Sequence, residues 1–240
     1  MPSGDLAVII PALNEARSIA ATVAAARALD GVDLVVVVDD GSKDDTSAIA
    51  AEAGAHVTRH ARNQGKAAAM ETGAKIVAEL EAGGPERPPR LLLFLDADLG
   101  ETAARAGPLA QPVRAGAADM TIAVFSETVR KGGLGIVTAT AGAGIERATG
   151  WRPAQPLNGQ RCLTRAAFTA ALPLARGWGV ETAMTIDLLR KGMRVVEVEV
   201  PLAHRATGND WQSQLHRLRQ LRDVGLALAR RTRWTRRGRA

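Results

Sequence analysis

A chain of 240 residues is long enough for one sizeable core, and 46% hydrophobic with 23% charged residues is the composition of a folded globular protein, not of a disordered one. Its single cysteine, Cys162, excludes an internal disulfide and a thiolate metal cage, so a reducing, cytoplasmic setting is expected. The net charge of +6 is largely a tail, with Arg230, Arg231, Arg233, Arg236, Arg237 and Arg239 crowded into the end of the chain, and three Phe, four Trp and no Tyr are too few for the aromatic-studded basic face of a single-strand nucleic-acid binder.

No apolar run approaches the roughly 20 residues of a membrane-spanning helix. The N-terminus lacks a basic stretch followed by an apolar one, so no signal peptide is expected. Leu6 to Ile10 is a short continuous apolar run, and Leu34 to Val38 and Leu91 to Leu95 repeat it, each ending in polar or acidic residues. These runs predict strands buried on both faces. Helices are predicted between them at Ser18 to Leu29, Asp44 to Ala53 and Lys66 to Leu80; in the last, Met70, Ala74, Val77 and Leu80 recur at helical spacing. Gly83, Gly84, Pro85, Pro88 and Pro89 make a loop of Ala82 to Arg90. Further on, Met120 to Val124 and Val195 to Val200 read as strands, and Thr182 to Lys191 and Trp211 to Arg230 as helices. Trp211, Leu215, Leu218, Leu221, Val224 and Leu228 form an apolar stripe on the last helix, which packing against the core would bury; an amphipathic contact with a membrane or partner is the alternative.

Alternation of this kind predicts an α/β fold, a mostly parallel sheet flanked by helices with a C-terminal helix appended. Residues 1–210 are read as one domain and 211–240 as an amphipathic helix with a basic tail. In such sheets ligands bind at the carboxyl ends of the strands. Asn14 and Glu15 follow the first strand, Asp39 and Asp40 the second, and Asp96 and Asp98 the third, so acidic and polar groups converge on one edge.

Asp96-Ala97-Asp98 offers two carboxylates to a hard divalent cation, or one to a cation and one to a ribose hydroxyl. Asn14 reads as a helix cap, and Asp39-Asp40-Gly41-Ser42 as a turn with a cap; a carboxylate there can also accept the ring N–H of a uracil or guanine. Lys66 opens a helix, where a cation gains nothing from the helix dipole, and a bound phosphate explains its placement better.

The motifs P-A-L-N-E, V-V-D-D-G-S, N-Q-G-K and L-D-A-D, in this order, resemble those of family-two glycosyltransferases and their GT-A, Rossmann-like relatives. Gly159-Gln160-Arg161, Trp178-Gly179-Val180-Glu181 and His204-Arg205 resemble the later part of the glucosyl-3-phosphoglycerate synthases. The resemblance spans roughly residues 6 to 210 and implies a metal-dependent hexosyltransferase, with UDP-glucose the expected donor. It further implies that Pro11, Ala12, Leu13, Asn14, Glu15 and Asp40 contact the nucleoside. Lys66, Asp96 and Ala97 would hold the nucleotide-sugar, and Asp98 and His204 would bind Mg²⁺ or Mn²⁺. Gly159, Gln160 and Arg161 would face the acceptor, and Glu181 the donor sugar or the acceptor hydroxyl. Arginine suits an acidic acceptor, and a carboxylate can serve as base. A small phosphorylated acceptor and a lipid-linked one both stay open, as do peripheral membrane contact through the basic C-terminus and a homodimer. Gly100 stands where polyprenyl-phosphate sugar synthases often carry Gln. A sugar nucleotidyltransferase is a more distant alternative, and Pro11 to Glu15 is not the glycine-rich basic loop it would carry after its first strand.

Overall fold

The computed structural model describes residues 5–125, 135–202, 222–229 and 231. In chain order the elements are β1 (Leu6–Ala12), α1 (Ile19–Arg27), β2 (Val32–Asp39), α2 (Thr46–Glu52), β3 (His56–Arg59), α3 (Lys66–Ala82), β4 (Leu91–Phe94), the short α4 (Gln111–Arg114), β5 (Met120–Phe125), α5 (Gly135–Thr149), β6 (Arg161–Leu163), α6 (Arg165–Ala171), α7 (Val180–Arg190) and β7 (Val195–Val200). Two 3₁₀ turns, Gly100–Arg105 and Gly107–Leu109, lead into α4, and a third, Gly177–Gly179, leads into α7.

The strands form one seven-stranded sheet in the order β3-β2-β1-β4-β6-β5-β7. Every neighbouring pair is parallel except those made by β6, which runs antiparallel to β4 and β5. Side-chain alternation along β1 divides the core: Leu6, Val8 and Ile10 face one apolar cluster with Ile19 and Val23 of α1, while Ala7 and Ile9 face another with Met70 and Val77 of α3 and Met184 of α7. Burying both faces is why the strands read as unbroken apolar runs. Helix α3 lies so close to the sheet that a β-carbon at Gly73 would meet Ile9 Cγ2 at 2.4 Å.

The expected strands and helices of the first hundred residues are present with small shifts at their ends. Residues 222–229 are helical; Val224 and Ala227 are buried, and Leu228 packs with Val137, Ala141 and Leu157. Gly144 leaves room for this contact, since a β-carbon there would lie 2.4 Å from Leu228 Cδ2 and would push that side chain aside. Arg231 ties this segment to α7 through an ion pair with Asp187. The rest of the predicted last helix, the tail and His204 lie outside the described residues. Among the described residues no helix is long and apolar enough to cross a membrane.

Asp39 ends β2 wholly buried, accepting hydrogen bonds from the Ser42 N–H and the Ser47 hydroxyl, with Arg59 Nε 3.6 Å away. Burial pushes its carboxyl up, but the Ser42 and Ser47 bonds and the Arg59 charge outweigh it and hold the group below the usual carboxylate range. A depressed folded value means that the stabilisation is present above the unfolded value of about 3.9 and is lost as pH falls through the lower folded one. Asp39→Asn is therefore expected to lower stability at neutral pH by about 1–2 kcal/mol and to flatten the fall in stability below about pH 4. Urea unfolding of both proteins at pH 7 and pH 3 measures the two slopes.

Candidate active site

At the carboxyl edge of the sheet β1, β2 and β4 end side by side, with Ala12 opposite Asp39 and Ile9 opposite Phe94. Because β6 is antiparallel, its start meets that same edge: Arg161 pairs with Phe94, so Gly159 and Gln160 fall beside Asp96. The loop after β1 is stitched to the loop after β2. Asn14, at φ 56°, receives the Lys43 N–H on its side-chain oxygen at 2.8 Å and donates its own N–H to Ser42 Oγ at 2.9 Å. The Glu15 N–H reaches Thr46 Oγ1 at 2.8 Å. The turn after β4 is pinned from α1, whose buried Thr22 donates its hydroxyl to the Ala97 carbonyl at 2.9 Å.

These turns surround a cleft of about 470 Å³ lined by Pro11, Ala12, Leu13, Glu15, Asp40, Lys66, Asp96, Ala97, Asp98 and Glu181, with Asn63, Gly65, Ala69 and Gly177 completing the wall. Nearly all the residues expected at a nucleotide-sugar are thus brought together. Asn14 holds the loop beside the cleft without lining it, and the motifs did not mark Ala69 or Gly177. Ala69 lies one helical turn after Gly65 and belongs to the same wall, a small-residue spacing visible in the sequence.

Lys66 is the cationic centre. Its Nζ lies 2.7 Å from Asp96 Oδ1 and 3.1 Å from Glu181 Oε1. Burial pushes the ammonium down, but the Asp96 and Glu181 charges outweigh that and hold it well above its ordinary value, so it is a permanent cation. Gln160, fully buried, donates from Nε2 to Asp96 Oδ2 at 2.8 Å. Gly159 admits this cluster: a β-carbon there would lie 2.3 Å from Lys66 Nζ and 3.0 Å from Asp96 Oδ1. Glu181 stands in the first turn of α7, 6% exposed.

Arg161 corrects the expectation that it faces an acceptor. It is wholly buried, and its guanidinium turns inward to the carbonyls of Asn158 (2.9 Å) and Pro156 (3.2 Å) and to Thr185 Oγ1 (2.9 Å). Burial lowers it to about 10, with Glu181 and Glu197 opposing, so it is still a cation at neutral pH. It has no surface to offer a ligand; it holds the loop that carries Gly159 and Gln160. Cys162 beside it is buried too, its thiol pushed up to about 12, and plays the part of a small apolar side chain.

A mostly parallel sheet with acidic strand ends around a cleft that carries a fixed cation is the arrangement of a GT-A, nucleotide-sugar-dependent glycosyltransferase. The chain belongs to glycosyl transferase family 2, whose family model matches residues 7–154. Glycosyltransferase AglJ of Haloferax volcanii is 28% identical over 215 residues, covering 88% of this chain and 67% of that protein. Among solved structures, glucosyl-3-phosphoglycerate synthase from Mycobacterium tuberculosis in complex with Mn²⁺, UDP and phosphoglyceric acid is 26% identical with a TM-score of 0.73, covering 94% of this chain and 78% of that one. The same synthase with Mg²⁺ and UDP gives a TM-score of 0.72 at 26% identity, with 94% and 78% covered.

Proposed function

We propose that this protein transfers glucose from UDP-glucose to a small phosphorylated acid with the aid of Mg²⁺ or Mn²⁺. The observation that carries the reading is Lys66, held between Asp96 and Glu181 at the wall of the strand-end cleft. A sugar nucleotide leaves its diphosphate with growing negative charge, and a pre-oriented cation in a partly enclosed site stabilises that charge without reorganising. Asp96 and Glu181 each take one N–H of the ammonium, which leaves one more to give to a phosphate oxygen. Glu181, whose Oε1 lies 3.1 Å from Lys66 Nζ, accepts a hydrogen bond or proton from a sugar or acceptor hydroxyl. Pro11 to Leu13, Glu15 and Asp40 take the nucleoside.

Among the described residues no three His, Cys, Asp or Glu side chains converge on one point. That fits a Mg²⁺-type cation, which is commonly held by one or two carboxylates and completed by substrate phosphates. Asp98 is the ligand proposed here, with Asp96 already engaged by Lys66 and Gln160; His204 is proposed as a further ligand. When bound, the cation would neutralise the diphosphate as a Lewis acid. In this reading residues 1–210 are the catalytic domain and 211–240 its amphipathic helix and basic tail. The phosphorylated acceptor rests on likeness to the synthase that binds phosphoglyceric acid. Incubation with UDP-[¹⁴C]glucose and Mn²⁺ tests it: label is expected in 3-phosphoglycerate, and label in polyprenyl phosphate alone would replace this acceptor class by a lipid one.

A further inference from the structure

Asp40 faces the cleft, yet its carboxylate is gripped from behind. Oδ1 accepts the Gln64 N–H at 2.8 Å and lies 2.7 Å from His60 Nδ1, while Oδ2 accepts the Gly65 N–H at 2.7 Å. The imidazole is fixed on its far side as well, with Nε2 2.9 Å from Thr72 Oγ1 on α3. Both side chains are nearly enclosed, at 9% exposure for His60 and 6% for Asp40. An ionised carboxylate only accepts, so Nδ1 is the protonated nitrogen toward Asp40. The Thr72 hydroxyl both donates and accepts and suits the other nitrogen. Each carboxylate oxygen has two acceptor directions. Oδ1 is filled by Gln64 and His60, and Oδ2 by Gly65 alone, so the remaining direction belongs to Oδ2.

We infer that His60 is a positioning residue for nucleobase recognition, locking Asp40 so that the open acceptor direction of Oδ2 meets a ring N–H of the bound base. The inference rests on the reading of the cleft as a uridine-diphosphate site, and it names the residue that sets selectivity there. The Gln64 and Gly65 N–H groups hold one carboxylate oxygen each, and the ring adds a second donor on Oδ1, a third point of attachment that fills that oxygen and leaves the open direction on Oδ2. A base with a donor at that position, such as uracil, is then favoured over one whose ring nitrogen carries no hydrogen. His60 reaches the ligand only through Asp40, which is why pocket lining does not reveal it. It follows the last residue of the edge strand β3, Arg59, and is separated from the N-Q-G-K turn by Ala61 and Arg62.

The test titrates the full chain, in Mn²⁺, with UDP and with UDP methylated at the uracil ring N–H, following heat of binding. Wild type is expected to prefer UDP by roughly tenfold or more, the value of a hydrogen bond to a charged acceptor. His60→Leu is expected to lose most of that preference by weakening UDP while barely changing the methylated analogue. His60→Asn, whose amide N–H stands near the position of Nδ1–H, is expected to restore it. Equal weakening of both nucleotides by His60→Leu would mean support of the loop alone and would overturn the inference, as would failure of His60→Asn to restore the preference. Wild-type binding of both nucleotides without preference would overturn the base-reading role of Asp40 and this inference with it, whereas wild type that binds neither would overturn the donor reading itself. If His60→Leu does not fold, Thr72→Val, which removes only the outer partner of the ring, is expected to lower the preference by about threefold; an unchanged preference there overturns the inference.

Discussion

Replacing Lys66 by methionine is expected to lower the transfer rate by about 10²–10³-fold, the usual cost of removing one pre-oriented charge donor from the site of a developing anion. Methionine keeps the volume and the hydrophobic stem of lysine, so the effect reports the charge. It acts twice. The diphosphate loses a cation, and Asp96 and Glu181 lose the group that holds them 2.7 and 3.1 Å from Nζ. Lys66→Arg is expected to rescue little, because Gly159 crowds Nζ on one side, where an added carbon would approach it to 2.3 Å, and a planar guanidinium does not reproduce the point charge that meets Asp96 and Glu181 together. Steady-state rates for both variants at saturating and limiting UDP-glucose separate a loss in kcat from a rise in KM. Wild-type rates in Lys66→Met would remove Lys66 from the chemistry.

Arg161→Met is expected to cost about 2–3 kcal/mol of stability and to reduce activity as a consequence. Two terms oppose each other. Removing a buried cation relieves its desolvation, but it leaves the Pro156 carbonyl and Thr185 Oγ1, both buried, without their donor, and frees the Asn158 carbonyl. The second term is expected to win because no apolar side chain can satisfy those oxygens. The freed 156–160 loop carries Gln160 and Gly159 away from Asp96, which links the stability loss to the site. Arg161→Lys keeps the charge but not the fork, and an intermediate value is expected. Urea unfolding monitored by circular dichroism measures all three proteins; an Arg161→Met protein as stable as wild type would show that the loop does not depend on this side chain.

Much of this architecture is legible in the sequence where burial on both faces leaves a mark. The runs at Leu6, Leu34 and Leu91 announce β1, β2 and β4, and their acidic ends announce the cleft. Other parts leave no such mark. Strand β3 is a half-exposed edge strand, His56–Arg59, whose His56, Thr58 and Arg59 leave Val57 without an apolar pattern around it. Strand β6 opens with Arg161, and an arginine buried by carbonyl acceptors reads in sequence like a surface residue. Helix α5 contains Gly142 and Gly144, which lower helix propensity while the second admits Leu228. In the site, residue types foretell charge but not direction. The D-A-D and N-Q-G-K motifs place Asp96, Asp98 and Lys66 correctly on one edge. The inward turn of Arg161 and the bond from Gln160 to Asp96 follow from the antiparallel pairing of Arg161 with Phe94 and Ile122, a long-range register that spacing alone does not encode. His60 is of the same kind, since its partners Asp40 and Thr72 lie on separate segments.

The most direct measurement is calorimetric titration of UDP, with and without Mn²⁺, into wild type and Asp98→Ala. Uridine-nucleotide binding that depends on Mn²⁺ in wild type and falls by at least about tenfold in Asp98→Ala is the predicted result, a carboxylate being the ligand that such a cation requires. Wild type that binds no UDP, or an Asp98→Ala protein that binds it with unchanged affinity and metal dependence, would contradict the account of this cleft as a metal-assisted nucleotide-sugar site.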